Sequence, residues 1–208
     1  MNSLSKAAMM LGAAGTGGMG AYYGIKTFKD SQISKIRDRI NNRLLSTRGD
    51  ANKSQWEDRL ASLRKEAVKA ETLTTELREI KTASSGKTWE DLRNWCAKRV
   101  GEKYSDKDSE YMEVISYCTF RNKDKLGGTL IKEDSVSTKW QKANETLKGK
   151  NDGLSEALAK VKEKLSAASG ADNTALKTWC EAAYEIPWTN NDNPDFKDAK
   201  QYCLESGN

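Results

Sequence analysis

Sliding the sequence on itself by 84 residues brings Trp56 onto Trp140, Leu63 onto Leu147, Glu79 onto Glu163 and Gly86 onto Gly170. The same offset brings Leu92 onto Leu176, Trp95 onto Trp179 and Cys96 onto Cys180, with no insertion between positions 56 and 96. Lengthening the offset by one residue maps Tyr111 onto Phe196, Tyr117 onto Tyr202 and Cys118 onto Cys203. Trp and Cys are rare, so two Trp–Cys and two Tyr–Cys pairs in register identify an internal duplication. The chain is therefore expected to fold as two tandem copies of a small module rather than around one continuous core.

Each copy reads as three helices, which makes the protein all-α. Long runs of Ala, Leu, Lys and Glu favour helix, and only two prolines occur in 208 residues. The first helix of each copy opens on a capping-box pattern, Ser54 with Glu57 and Thr138 with Gln141. Trp56, Leu60, Leu63, Ala67, Ala70, Thr74 and Leu77 then recur in steps of three and four. In the second copy Trp140, Leu147, Leu154, Leu158, Val161 and Leu165 keep that register. Such a narrow stripe predicts the seam of a helical bundle or coiled coil. Asn144 and Asn151 fall on the seam beside Gly149 and Gly153, so a kink is expected near 149–153. Gly86 and Gly170 are expected to end the long helices. A second helix carries the Trp–Cys pair, and Pro187 marks its end in copy two. A short third helix, with Asn193 as N-cap and Pro194 at its first position, carries the Tyr–Cys pair.

Ahead of the modules, nineteen uncharged residues separate Lys6 from Lys26, about the length that spans a bilayer. Six of them are glycine, and "GTGGMG" fits the dinucleotide-binding pattern G-x-G-x-x-G. That reading needs a preceding strand and further βαβ units, and none follows. Gly20 and Gly24 instead form G-x-x-x-G, the close-packing motif of membrane helices, which also offers a route to oligomers. A cleaved signal peptide is the competing reading, although no clear A-x-A site is present. Phe28, Ile33, Ile36, Ile40 and Leu44 follow at largely helical spacing with basic residues between them. They predict an amphipathic juxtamembrane helix, or else the first helix of the folded body. The expected divisions are 1–25, a transmembrane or signal-anchor segment; 26–53, the basic juxtamembrane helix; 54–120, module one; 121–137, a linker; and 138–208, module two.

The formal charge of +5 belongs to one short stretch. Residues 26–55 hold eight Lys/Arg against three Asp, whereas residues 56–208 hold 26 Lys/Arg against 27 Asp/Glu. A nucleic-acid binder would carry its basic face on the folded domain. Charge placed directly after an apolar segment suits anionic lipid headgroups instead.

The chain has no histidine, which removes the commonest general base and the commonest metal ligand. "SSGKTW" at 84–89 contains the tail of a phosphate-binding loop, but the glycine required five residues before Gly86 is Lys81. Copy two keeps Gly170 and replaces Lys87 and Thr88 by Ala171 and Asp172, so the duplicated feature is the turn glycine. No catalytic, cofactor-binding or metal-ligating set is predicted, and neither nucleotide nor nucleic acid is an expected partner. Four cysteines allow three disulfide connectivities. The duplication selects Cys96–Cys118 and Cys180–Cys203, which make each module self-contained; reduced buried thiols are the alternative in a cytosolic setting. Four of the six tryptophans recur in both copies and read as core. Trp89 and Trp188 do not recur and are the better candidates for a module-specific surface or pocket.

The Gly-rich start ending in "GAYYG", with "SVSTKW", "LKTWCEAAYE" and "FKDAKQYC", resembles the large paralogous families of uncharacterised proteins in haemotropic mycoplasmas. The resemblance implies a wall-less bacterium living on red blood cells, and a protein suspected of surface display and antigenic variation. It carries over no functional residue. The expected function is that of a membrane-anchored, surface-displayed helical repeat protein with a binding or antigenic role and no catalysis. Its partners would be membrane lipid through the N-terminus and a host surface protein or antibody. The alternative is a cytosol-facing, membrane-attached scaffold for protein assembly. The Lys/Arg cluster after the apolar segment favours that alternative, because positive charge stays on the cytoplasmic side.

Overall fold

In the computed structural model, residues 35–83, 85–105, 109–134 and 137–205 are described. The expected membrane segment, its Gly20/Gly24 pair and the first part of the juxtamembrane helix lie outside them. Among the described residues, secondary structure is helical apart from three isolated β-bridges, and no helix is long and apolar enough to cross a membrane. The chain divides into two compact units, Met1–Thr119 and Phe120–Asn208.

Unit one contains α1 (Ile36–Ile40), α2 (Lys53–Leu63), α3 (Thr75–Thr82), α4 (Trp89–Arg99) and α5 (Ser109–Cys118). Its core is built from Ile36, Ile40 and Leu45 near the start, Trp56 and Leu63 from α2, Leu77 from α3, and Leu92, Cys96, Val114 and Cys118 from α4 and α5. The described part of the predicted juxtamembrane helix thus belongs to the folded body. Its α-helix ends at Ile40, where Asn41 turns the chain at φ 28°, and a short 3-10 turn follows over Asn41–Arg43.

Unit two contains α6 (Asn122–Lys125), α7 (Thr138–Lys148), α8 (Glu156–Leu165), α9 (Ala175–Glu185) and α10 (Pro194–Tyr202). Residues 121–134 are not a linker. Leu126 and Ile131 enter the same core as Trp140, Leu158, Leu176, Trp179, Phe196 and Tyr202. The start of α10 follows the sequence reading: Asn193 Oδ1 accepts from Phe196 N at 3.0 Å, with Pro194 behind it.

Among the described residues the long first helix of each copy is two helices, so each unit shows a four-helix body preceded by a short helix, with no coiled-coil seam through it. In unit two the break falls at 149–155, where Gly149 ends α7, Gly153 sits at φ 75° and Ser155 caps α8. In unit one it falls at 64–74, among good helix formers, leaving Ala67 exposed. Charged side chains from α3 satisfy the carbonyls that this break releases. Lys81 Nζ donates to Leu63 O at 3.0 Å and Lys65 O at 2.9 Å, and Arg78 donates to Ala70 O and Leu73 O, each at 3.0 Å. The capping boxes also move: Asn52 precedes α2, and Ser137 caps α7 through Trp140 N. Gly86 and Gly170 have φ of 85° and 71°, but they lie beyond the helix ends, in the turns toward α4 and α9.

Candidate functional site

The predicted site residues are the four cysteines, and the structure places all of them in the cores with no exposure. Cys96 on α4 is joined to Cys118 at the end of α5, with Cα atoms 5.7 Å apart. Cys180 on α9 is joined to Cys203, just after α10, with Cα atoms 5.5 Å apart. Trp95 and Trp179, their chain neighbours, are also buried.

Around each disulfide stands a matching set of backbone bonds that the sequence comparison did not reveal. Leu45 N donates to Cys118 O at 2.9 Å, and Ile131 N donates to Cys203 O at 3.1 Å. Bridges join Leu44 to Thr119 and Leu130 to Leu204. Ile36 N donates to Glu102 O at 3.0 Å, and Asn122 N donates to Ile186 O at 2.9 Å. Trp56 Nε1 donates to Ser46 O, and Trp140 Nε1 to Glu133 O, both at 3.0 Å. The correspondence thus extends upstream of the two tryptophans, at an offset of 86 for the short helices.

The second matched feature is a buried carboxylate from the last helix. Glu113 on α5 accepts from Thr74 N and from Thr74 Oγ1, each at 2.7 Å, at the head of α3. Asp198 on α10 accepts from Ser155 N at 2.8 Å, at the head of α8. Each lies five residues before a disulfide cysteine, so one helix both carries the covalent staple and caps its neighbour. Burial pushes both carboxyls above their usual range, against the opposing effect of these hydrogen bonds. The flanking charges are Glu110 and Arg99 at Glu113, and Asp195 and Lys150 at Asp198. Tyr202, pushed upward by burial and then by Asp198, also lies in the unit-two core.

Differences between the units lie in how the carbonyl end of the last helix is supported. In unit one the fully buried Arg59 donates through Nε and Nη2 to Thr119 O, each at 3.2 Å, and pairs with Asp58. In unit two the Tyr184 hydroxyl donates to Cys203 O, and burial raises its pKa. Arg121 and Lys123 both pair with Glu185.

The unduplicated tryptophans are packed rather than open. Trp188 is 7% exposed, edge-on to Phe196, and Lys125 lies over its ring and, at 3.5 Å, over that of Phe120. Trp89 is half-buried beneath Lys53 and Arg93. The phosphate-loop fragment is used locally: Thr88 caps α4 in a capping box with Asp91, and Lys87 pairs with Asp91 at 3.1 Å. Among the described residues no group of His, Cys, Asp and Glu is placed to hold a metal ion. No family model, no curated protein and no solved structure matches this chain.

Proposed function

We propose that the chain is a membrane-anchored, surface-displayed protein whose body is two copies of one disulfide-stapled helical module, with a binding or antigenic role and no catalysis. The observation that carries this reading is a contrast between interior and exterior. Trp56/Trp140, Leu63/Leu147, Leu92/Leu176 and Trp95/Trp179 are identical and buried in both units. On α4 and α9 the exposed equivalents Asn94/Thr178, Ala97/Glu181 and Lys98/Ala182 all differ. A stapled core that ignores its surface residues is a suitable support for variable epitopes or contacts. Buried disulfides suit an oxidising exterior. The absence of histidine weighs against hydrolytic chemistry. The exposed helix faces and the loops near 103–105 and 189–192 are where recognition would occur.

A cytosol-facing scaffold is the second reading, favoured by the Lys/Arg residues of 26–55 under the positive-inside rule. Protease added to intact cells separates the two. Surface display predicts loss of the body and labelling of unbroken cells by antibodies raised against it. Full protection until the membrane is opened rejects display and leaves the scaffold.

A further inference from the structure

Asp152 and Gly153 lie in the connection between α7 and α8. Of the 15 glycines in the chain, Gly153 is the only one preceded by an acid or amide side chain. The Asp152 side chain is 93% exposed, and its ion-pair partner Lys150 Nζ is 3.9 Å away, the reach of a weak surface pair. Gly153 sits at φ 75°, and a Cβ there would meet nothing within 4 Å. Among the described residues no acceptor binds the Gly153 N–H. The carboxyl carbon of Asp152 therefore faces a free amide nitrogen, and glycine puts no side chain in the way. Other aspartates are held. Asp172 Oδ1 accepts from Thr174 N at 3.0 Å and from Thr174 Oγ1 at 2.7 Å. Asp58, Asp91 and Asp198 lie inside helices, where the backbone ladder fixes the residue that follows. Unit one has Val68 and Lys69 at the corresponding positions.

We propose that Asp152 is a site of spontaneous covalent modification, where the folded chain converts aspartate to isoaspartate. The Gly153 amide nitrogen attacks Cγ of the protonated Asp152 carboxyl. An N–C bond forms, the C–OH bond breaks, and the amide proton and the hydroxyl leave as one water. The product is a five-membered succinimide joining the two residues. Water then opens the ring. Addition at the side-chain carbonyl restores aspartate. Addition at the backbone carbonyl gives isoaspartate, in which the chain runs through Cβ and the free carboxylate sits on Cα. No oxidant, reductant or enzyme takes part. The change falls on the surface of unit two, ahead of the half-buried Leu154 and of Ser155, whose N–H is held separately by Asp198. The α8 cap therefore survives the longer backbone. The inference is independent of anchoring and display.

The test ages the full chain in mildly acidic buffer with a non-ionic detergent, folded and, in parallel, unfolded in guanidinium chloride. Peptides are then mapped by mass spectrometry with electron-transfer fragmentation, which separates isoaspartate from aspartate. In the folded protein the peptide containing Asp152 should gain a form lighter by one water, and then isoaspartate. Its rate should lie within about threefold of that in the unfolded chain, as for a loop whose opening costs almost nothing. Peptides containing Asp172 and Asp198 should stay unconverted in the folded protein. Asp152→Glu, which keeps the charge but would have to close a six-membered ring, should lose the signal. Conversion confined to the unfolded chain overturns the proposal. So does equal conversion at Asp172 or Asp198 in the folded chain, or a signal that persists in Asp152→Glu. If that variant does not fold, mapping of the unaltered chain decides alone.

Discussion

Glu113 holds Thr74 through two hydrogen bonds of 2.7 Å, one from the backbone N–H and one from the hydroxyl, across 39 residues of sequence. This contact sets where α3 begins. Without it the half-buried N–H of Thr74 would lose its acceptor at the helix head, where backbone donors have no partner within the helix. Asp198 does the same for Ser155 in unit two.

Replacing Glu113 by Ala should therefore destabilise α3 more than the rest of unit one. An orphaned buried donor costs about 1–3 kcal/mol. Amide hydrogen exchange in residues 74–82 should speed up by roughly ten- to a hundredfold, with smaller changes in α4. Asp198→Ala should act in the same way on α8. Uniform acceleration across the unit would show that the contact has no local role.

The pH dependence follows from the direction of the shifts. Burial raises the carboxyls of Glu113 and Asp198 from ordinary values of 4.5 and 3.8. Folding then favours proton uptake, so their contribution is fully present below those values and is lost as pH rises through the folded-state pKa. Carboxylates nearer the surface act oppositely. Hydrogen bonding from Lys98 lowers Glu76, backbone bonding from Thr88 lowers Asp91, and Thr174 lowers Asp172. Their contribution is present above the unfolded values and is lost on further acidification. The melting temperature should rise as pH falls through the raised folded-state pKa values of Glu113 and Asp198, then decline once further acidification protonates the lowered carboxylates. Glu113→Gln combined with Asp198→Asn should flatten the upper branch while preserving the lower one. A melting profile that the double variant leaves unchanged would refute this assignment.

Peptide mapping under alkylating, non-reducing conditions should recover Cys96 with Cys118 and Cys180 with Cys203. Because all four residues have no exposure, dithiothreitol should reduce them slowly in the native protein and rapidly in urea. Replacing both cysteines of one pair by Ala should cost about 3 kcal/mol, from loops of 22 or 23 residues in the chain-entropy model. Four free thiols in protein isolated from cells would favour the cytosolic scaffold.

Truncation tests the proposed anchor against the fold. A chain starting at residue 26 should remain soluble and helical by circular dichroism, and neither NAD nor ATP should raise its melting temperature. Starting at residue 54 should leave unit one unable to fold cooperatively. That cut removes Ile36, Ile40 and Leu45, all buried and each contributing about 1.5–3 kcal/mol. Equal stability of the two truncated chains would contradict their place in the core.

The features that rest on rare residues, and the Asn193–Pro194 cap, were readable from the sequence, whereas the capping boxes expected at Ser54 and Thr138 do not form. Trp56, Trp140 and the cysteines sit where the 84-residue register suggested, and Asn193–Pro194 opens α10. The break between α2 and α3 was not readable, because residues 64–73 contain no Pro or Gly. What holds the break open is Glu113, 39 residues away from Thr74, together with Lys81 and Arg78 of α3, contacts that override local propensity. The opening strap escaped notice for a different reason. Ile36 and Asn122 are unlike as side chains, and what they share is a backbone N–H donated to residues 102 and 186. The raised carboxyls were equally hidden, since a Glu or Asp near a helix middle reads as solvated until its burial is known.

The bonds from Leu45 to Cys118 and from Ile131 to Cys203 tie the entry of each unit to its exit. A module whose two ends meet can be copied head to tail without rebuilding its interior, because each new copy brings its own strap, staple and cap.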